Sequence, residues 1–249
     1  MDLNGIPGGE RLAAALDFIT MGGPAMWAIA ALSVVTVALI LWKVMRLMAL
    51  GVWSGGRHTA RALDLWSDGR SAEAMALLAA RGSMRARLAL AAMRAASDPG
   101  RDRESALAET ARVARGLLVQ ARAGLRGLEL AATVGPLLGL LGTVTGMIAA
   151  FQALQEAGSR ADPATLAGGI WEALLTTAAG MAVAIPASVA LAWFDGLIDR
   201  VRHDMEDAAT RVFHPPHHPR AAVQRAAVQR AAVQQAAVQQ AAAVRPAAE

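Results

Sequence analysis

Three long runs without a charged side chain constrain this chain of 249 residues more than any other feature. They cover residues 21–42, 130–154 and 173–194. A helix rises about 1.5 Å per residue, so a run of roughly 22 residues reaches about 33 Å and matches the hydrocarbon core of a bilayer. Buried helices of soluble proteins rarely stay free of charge over such a length. The sequence therefore predicts an all-α, polytopic membrane protein with three transmembrane helices and long helices projecting into the cytoplasm.

The placement of arginine predicts the topology. Most of the basic side chains lie between the first and second runs, whereas the link between the second and third runs contains Arg160 alone. The positive-inside rule then places the N-terminus and that link in the periplasm of a bacterium, and the middle segment and the C-terminus in the cytoplasm. Since Arg11 is the one basic residue before the first run, a cleaved signal peptide is not indicated, and we expect this run to be retained.

Composition excludes several kinds of site. The chain has no cysteine, so it can form neither disulfides nor thiolate metal sites. A net charge of +4 is compatible with nucleic-acid binding, but the arginines follow the membrane topology, and we expect no nucleic-acid partner. No nucleotide-binding loop, metal cluster or nucleophile constellation is present, so we predict no enzyme activity, cofactor or metal.

These observations divide the chain into eight segments. Trp27 and Trp42 bracket the first run, and Trp171 and Trp193 bracket the third, as aromatic belts do at membrane interfaces. The predicted segments are a periplasmic stretch (1–20), transmembrane helix 1 (21–43), a cytoplasmic helical segment (44–128), transmembrane helix 2 (129–154), a periplasmic link (155–169), transmembrane helix 3 (170–195), a cytoplasmic helix end (196–213) and a flexible low-complexity tail (214–249).

Two Asp-Pro pairs predict where long helices begin. Asp98 and Pro99 have the pattern of an N-cap followed by proline at the first helical position, as do Asp162 and Pro163. From Asp98 we expect one helix of about 50 residues that continues into the second run. The tail contains the repeat "AAVQR", whose period fits no coiled coil, and histidines at 214, 217 and 218 that have no scaffold for a metal.

Four glycines in "GPLLGLLGTVTGM" predict close helix packing in the second span. Glycine costs about 1 kcal/mol in an exposed helix interior, but in lipid it allows a neighbouring backbone to approach. Gly135, Gly139, Gly142 and Gly146 fall within about 60° of one another on a helical wheel. Small residues of the third span also share a face: Ala173, Thr177, Gly180, Ala184 and Ala187.

A simpler interpretation of these patterns stays open. In this interpretation the small faces serve only to pack helices within one subunit, while Thr143 and Thr177 donate to carbonyls of their own helices. Glu129 then pairs with Arg126 three residues earlier. Pro136 and Pro186 each free a carbonyl four residues back, which is tolerated where protein or water meets it.

At these residues the chain resembles a known family. The segments "LELAATVGPLLGLLGTVTGMIAAF" and "GGIWEALLTTAAGMAVAIPASVALAWF" are similar to the second and third spans of the ExbB/TolQ/MotA proton-channel family. The segment "MGGPAMW" is similar to the ExbB-like branch, and the three predicted spans favour ExbB or TolQ over the four-span MotA proteins. The similarity extends over roughly residues 18–211 and is weak in the cytoplasmic segment.

The resemblance implies a partner and a division of roles. It implies a homopentamer whose second and third spans surround a pore, occupied by an ExbD- or TolR-like one-span protein with a protonatable Asp. Thr143 and Thr177 would line the pore, Glu172 would stand at its periplasmic mouth and Glu129 near its cytoplasmic exit. Proton flow would drive a TonB- or TolA-like protein, and membrane lipid would surround the ring. The spans of this chain have no acid of their own near mid-membrane, as that division requires.

One position departs from the family pattern. Relatives often have Asn where Ala192 stands here, and Thr176, Ser188 and Asp195 are possible polar substitutes, although Asp195 is expected to cap the cytoplasmic end of the span. Two other functions remain open: a membrane scaffold without ion flow, and a small-solute transporter subunit, for which inverted repeats would be expected.

Overall fold

The computed structural model describes residue 20, residues 23–158 and residues 162–214, and the regular structure of these parts is α-helical, with no strand. Three helical stretches are long and apolar enough to cross a membrane, which confirms the predicted all-α class with three spans. The helices are α1 (Gly23–Ala49), α2 (Gly56–Ser67), α3 (Ser71–Ala79), α4 (Met84–Ser97), α5 (Arg103–Arg122), α6 (Leu125–Ala157) and α7 (Pro163–Phe213).

Several predicted segments fall outside the described residues. The N-terminal stretch lies outside them except for Thr20, and the tail does so except for His214. Part of the predicted periplasmic link, residues 159–161, is also outside. Within the predicted cytoplasmic segment, the stretches 50–55, 68–70 and 80–83 separate α1 from α2, α2 from α3 and α3 from α4.

The helix predicted to begin at Asp98 is wrong at its start. Asp98 is extended (φ −77°, ψ 111°) and ends α4, because the residue before a proline is disfavoured in helical conformation. Its Oδ1 accepts a hydrogen bond from the Gly100 N–H at 3.1 Å. The next helix begins at Arg103, where the Asp102 Oδ1 accepts from the Ser105 N–H at 3.1 Å. Asp102 therefore has the capping role that the sequence assigned to Asp98.

The same predicted helix is also wrong in its length, because it breaks before the second span. Gly124 has φ +84°, a left-handed conformation that L side chains rarely adopt, and α6 begins after it. The second start signal is confirmed. α7 begins at Pro163, and the Asp162 Oδ1 accepts from the Ala164 N–H at 3.0 Å.

The described chain divides into two compact units. One, which we call the apolar unit, contains the chain up to Arg46 together with Arg122–Leu197; the other, the arginine-rich unit, contains Leu47–Ala121 and the chain from Ile198. Each is described by itself below.

In the apolar unit, α1, α6 and the first part of α7 pack as antiparallel neighbours. A β-carbon built on Gly142 would lie 3.2 Å from the Ala25 Cβ, and one on Gly127 would lie 2.9 Å from Leu39, so α1 and α6 run in opposite directions. Ala173 faces Gly146 near one end of the α6–α7 contact, and Ala184 faces Gly135 near the other. The chain therefore crosses this unit three times in alternating directions.

Small residues are inside the apolar unit and large apolar residues are outside. Ala173, Ala184 and Ala187 are buried, whereas Leu137 and Val189 have more than half of their surface exposed. The four tryptophans at the ends of the spans are also exposed. This arrangement is the reverse of a soluble domain, and it suits a surface covered by lipid.

The arginine-rich unit has an alanine-rich core and ion pairs between its helices. Ala62, Ala89 and Met93 pack against Ala208 and Val212 of α7. Two ion pairs connect α7 to other helices: Arg211 contacts Asp64 of α2 at 2.7 Å, and Arg85 of α4 contacts Asp204 at 2.7 Å. Arg85 also donates to the Val52 carbonyl at 2.6 Å.

We predict that Arg85→Met destabilises the protein by about 1–3 kcal/mol, because the Val52 carbonyl and the Asp204 carboxylate lose a donor whose side chain is only 14% exposed. The control is Arg202→Met, since Arg202 and Glu206 form an exposed i,i+4 pair whose loss should cost at most about 0.5 kcal/mol. Reversible unfolding in mixed micelles, followed by tryptophan fluorescence, measures both. Equal effects of the two variants would contradict this role for Arg85.

We predict that Gly139→Ala also destabilises the protein, by about 1–3 kcal/mol, because its new β-carbon would lie 2.9 Å from the Thr177 Cα and force α6 away from α7. Gly168→Ala is the matched control on α7, where a β-carbon meets nothing within 4 Å. In that open position alanine should stabilise the helix by up to about 1 kcal/mol. The same unfolding measurement should therefore give opposite signs, and a shared sign would refute close packing at Gly139.

Candidate ion pathway

The closest approach between α6 and α7 is built around the carbonyl of Gly139. The Thr177 hydroxyl donates to this carbonyl oxygen at 3.0 Å, and the Thr176 hydroxyl lies 3.3 Å from it. Thr176 also donates to the Ala173 carbonyl of its own helix at 2.7 Å. Without a side chain, Gly139 leaves its backbone open to both threonines. In hydrocarbon, such hydroxyls need an acceptor, and the neighbouring backbone provides one.

Thr143 is satisfied within its own helix. Its hydroxyl donates to the Leu140 carbonyl at 2.7 Å, one turn back along α6. Its side chain and that of Thr177 are half-buried, whereas Thr176 is buried between the helices. Thr143 and Thr177 are therefore the two hydroxyls of the predicted pathway that keep accessible surface, and Thr176 has a packing position.

The hydrogen-bond chemistry of these hydroxyls follows from their partners. A carbonyl oxygen can only accept, so Thr143 and Thr177 must each donate their single hydroxyl hydrogen to it. Each hydroxyl oxygen then has only its lone pairs available for a further hydrogen bond. The surface can therefore accept hydrogen bonds from water, a hydronium ion or a neutral carboxylic acid, and it can coordinate a cation. Neither of these two hydroxyls has a hydrogen left to donate to a carboxylate or another anion.

The glycines of the predicted stripe all lie on the side of α6 that faces α7. A β-carbon on Gly135 would meet the Gly180 carbonyl at 3.0 Å, and one on Gly146 would meet the Ala173 Cβ at 2.9 Å. Gly142 lies against the Thr176 hydroxyl. In return, a β-carbon on Gly180 would lie 2.5 Å from the Gly135 carbonyl. The stripe thus packs against the same chain, as the simpler interpretation of the sequence holds.

The two predicted acids, Glu129 on α6 and Glu172 on α7, are both exposed. Among the described residues there is no ion pair between Glu129 and Arg126, so that alternative explanation of Glu129 is not supported.

The helices continue through the half-buried Pro136 and the exposed Pro186. The Ser188 hydroxyl donates to the Ala184 carbonyl at 2.9 Å.

The expected cap role of Asp195 is wrong. α7 continues to Phe213, so Asp195 lies inside a helix and not at its end. A second finding concerns Lys43, for which the sequence predicts no specific role. Its side chain is buried and donates to the backbone between α5 and α6. The one sequence feature that distinguishes Lys43 is that it is the only lysine of the chain.

Two features define the class of protein. Three antiparallel apolar helices with lipid-type outer surfaces make it a multi-pass α-helical membrane protein, and the hydroxyl-bearing contact between two of them is suited to a cation or proton. Within the described residues, no group of three or more metal-ligating side chains is present.

Comparison with known proteins identifies the family. The model of the MotA/TolQ/ExbB proton channel family matches residues 80–207, which include α5, α6 and most of α7. The chain belongs to this family, which is one of transport channels and not a class of enzymes.

Curated relatives agree with this assignment. Biopolymer transport protein exbB1 of Vibrio cholerae is 38% identical over 90 residues, covering 34% of this chain and 40% of the relative. The putative biopolymer transport protein ExbB-like 1 of Synechocystis is 54% identical over 66 residues, covering 26% of each chain. ExbB of Xanthomonas campestris is 41% identical over 91 residues, covering 32% of this chain and 36% of the relative. The chain thus matches well under half the length of these relatives.

Proposed function

We propose that this protein is the proton-channel subunit of an inner-membrane energy-transducing motor. The observation that carries the proposal is the pair of half-buried hydroxyls, Thr143 and Thr177, whose hydrogens are already donated to carbonyls. They can stabilise a proton carrier in its protonated, neutral form by accepting its hydrogen. Membership of a proton channel family supports the same chemistry.

The proton carrier itself belongs to a partner in this proposal. Intramembrane carboxylates are the usual proton carriers, and the three charge-free runs of this chain contain none. An ExbD- or TolR-like one-span protein with an Asp in its membrane segment would supply the carboxyl group inside a homopentameric ring of this chain. Its motion would be passed to a TonB- or TolA-like protein for outer-membrane transport.

The two glutamates would act at the ends of the pathway. Glu172 lies one helical turn before Thr176 on α7, and Glu129 lies two turns before Pro136 on α6, so the two acids are at opposite ends of the antiparallel pair. Both side chains are exposed. Glu172 would serve the periplasmic mouth and Glu129 the cytoplasmic exit.

We expect Thr143→Val and Thr177→Val each to lower proton flux by at least about tenfold, because a donor that loses its acceptor in the membrane is destabilised by about 1–3 kcal/mol. Flux is measured in liposomes that contain this chain co-expressed with its one-span partner. Thr177→Ser keeps the hydroxyl and should retain flux. Thr145→Val is the matched control on α6, since Thr145 is exposed and donates to the Leu141 carbonyl.

Two results would overturn parts of this assignment. Flux in Thr143→Val and Thr177→Val equal to that in Thr145→Val would remove the threonines from the pathway. A wild-type complex that assembles but conducts no protons would favour the scaffold alternative, in which the arginine-rich unit binds lipid or a soluble partner.

The proposed orientation has its own test. The chain has no cysteine, so single cysteines can report which side of the membrane a residue occupies. Ala157→Cys, at the end of α6, should react with a membrane-impermeant maleimide added to intact spheroplasts, because it follows the second span. Gly100→Cys, in the exposed turn between α4 and α5, should react only after the cells are opened. The reverse pattern would invert the topology.

A further inference from the structure

Lys43 is unusual in both sequence and structure. It is the only lysine of the chain, whose other long basic side chains are all arginine. It is also among the largest fully buried side chains of the described residues, with 1% of its surface exposed. A cationic side chain at the end of a membrane-spanning helix usually extends to the interface, so burial here requires a specific partner.

That partner is the helix break before the second span. The Lys43 Nζ donates to the Ala123 carbonyl at 2.7 Å. Ala123 and Gly124 are the residues between α5 and α6, where a left-handed backbone interrupts the helical hydrogen bonds. The preceding residue of α1, Trp42, places its ring against Gly124, so that two consecutive side chains of α1 hold the break.

The indole that lies against the break is itself held by a neighbour on α1. The Arg46 guanidinium lies 5.1 Å from the centre of the Trp42 ring, and this cation–π contact stabilises the ring in its position beside Gly124.

The choice of lysine has a chemical reason. A closely packed, buried position suits a compact ammonium on a thin aliphatic stem. The planar guanidinium of arginine has five N–H donors in a rigid fork, and its burial would require an acceptor for each of them. The break is thus a position where lysine and arginine are not equivalent.

We propose that Lys43 is a buried clasp that fastens the carboxyl-terminal end of α1 to the break at Ala123 and thereby fixes where the second span begins. This inference goes beyond the proposed ion pathway and does not depend on it.

The single lysine makes the proposal directly testable by amine modification. Reductive methylation of the detergent-solubilised protein, followed by peptide mass spectrometry, has two targets: the N-terminal amine and Lys43. We expect Lys43 to react at least about tenfold more slowly in the folded protein than after unfolding in denaturant, since a buried group reacts only upon local opening. The N-terminal amine is the internal control for reagent activity.

Two glycine variants test whether the break is part of the clasp. Gly124→Ala places a β-carbon against the Trp42 ring in a left-handed backbone (φ +84°), so it should loosen the break and speed the modification of Lys43 by about threefold or more. Gly116→Ala on α5 is the matched control, since a β-carbon there meets nothing within 4 Å, and it should leave the reaction rate unchanged. Circular dichroism confirms that both variants keep their helical content.

Two outcomes would overturn the proposal. Equal reaction rates of Lys43 in the folded and unfolded wild-type protein would show that the clasp is open, and this measurement needs no variant. Equal reaction rates of Lys43 in Gly124→Ala and Gly116→Ala would show that the break does not hold the ammonium. Since no ion gradient is involved, either failure leaves the ion-pathway proposal standing, and loss of ion flux leaves the clasp standing.

Discussion

The membrane part of this protein depends on the close approach of two helix backbones at Gly139 and Gly180. In hydrocarbon the hydrophobic effect does not hold helices together, so contact area and interhelical hydrogen bonds must do so. A β-carbon at either glycine would overlap the opposite backbone. Only because both side chains are absent can the hydroxyls of Thr176 and Thr177 come within reach of the Gly139 carbonyl. Packing and hydroxyl chemistry are thus two results of one constraint.

That constraint also decides what the hydroxyls are able to bind. Threonine in a soluble site can turn its hydrogen toward an anion or its lone pairs toward a donor. Here the first possibility is used by the backbone, since the donors Thr143 and Thr177 are both held by carbonyls. The fold therefore fixes the polarity of these groups, with no charged residue in the two charge-free runs that contain them. The remaining lone pairs favour protons and cations.

Much of the fold was predictable from the sequence, and the failures have physical causes. Span length and charge distribution predicted three membrane helices, and the pattern at Asp162 and Pro163 predicted the start of α7. The same pattern failed at Asp98, because a proline restrains the residue before it whether that residue starts a helix or ends one. The break at Gly124 was missed since a lone glycine among helix-forming residues has no distinct signal, and its left-handed backbone depends on the Trp42 ring and Lys43.

The residues of the candidate site could be predicted from the sequence, but their contacts could not. Helical periodicity placed the glycines on one side of α6, yet it gave no partner for any of them. The choice between self-packing and a contact with another subunit required the distances to Ala173 and Ala184. Likewise, Thr143 and Thr177 look equivalent in sequence, but one donates within its own helix and the other to the neighbouring helix. For Lys43 the sequence shows only that it is the single lysine. Its burial could not be predicted, because burial of a side chain is a property of the surrounding structure.

The break at Gly124 gives the two long helical paths of this chain different mechanical properties. Ala123 and Gly124 lie outside both helices, so a torque applied along α5 can be absorbed there by rotation about a few backbone bonds. α7 is one continuous helix of 51 residues, in which Pro186 leaves out a single backbone hydrogen bond. Twisting α7 therefore strains hydrogen bonds along its length, whereas the path through α5 and α6 has a point at which it can flex.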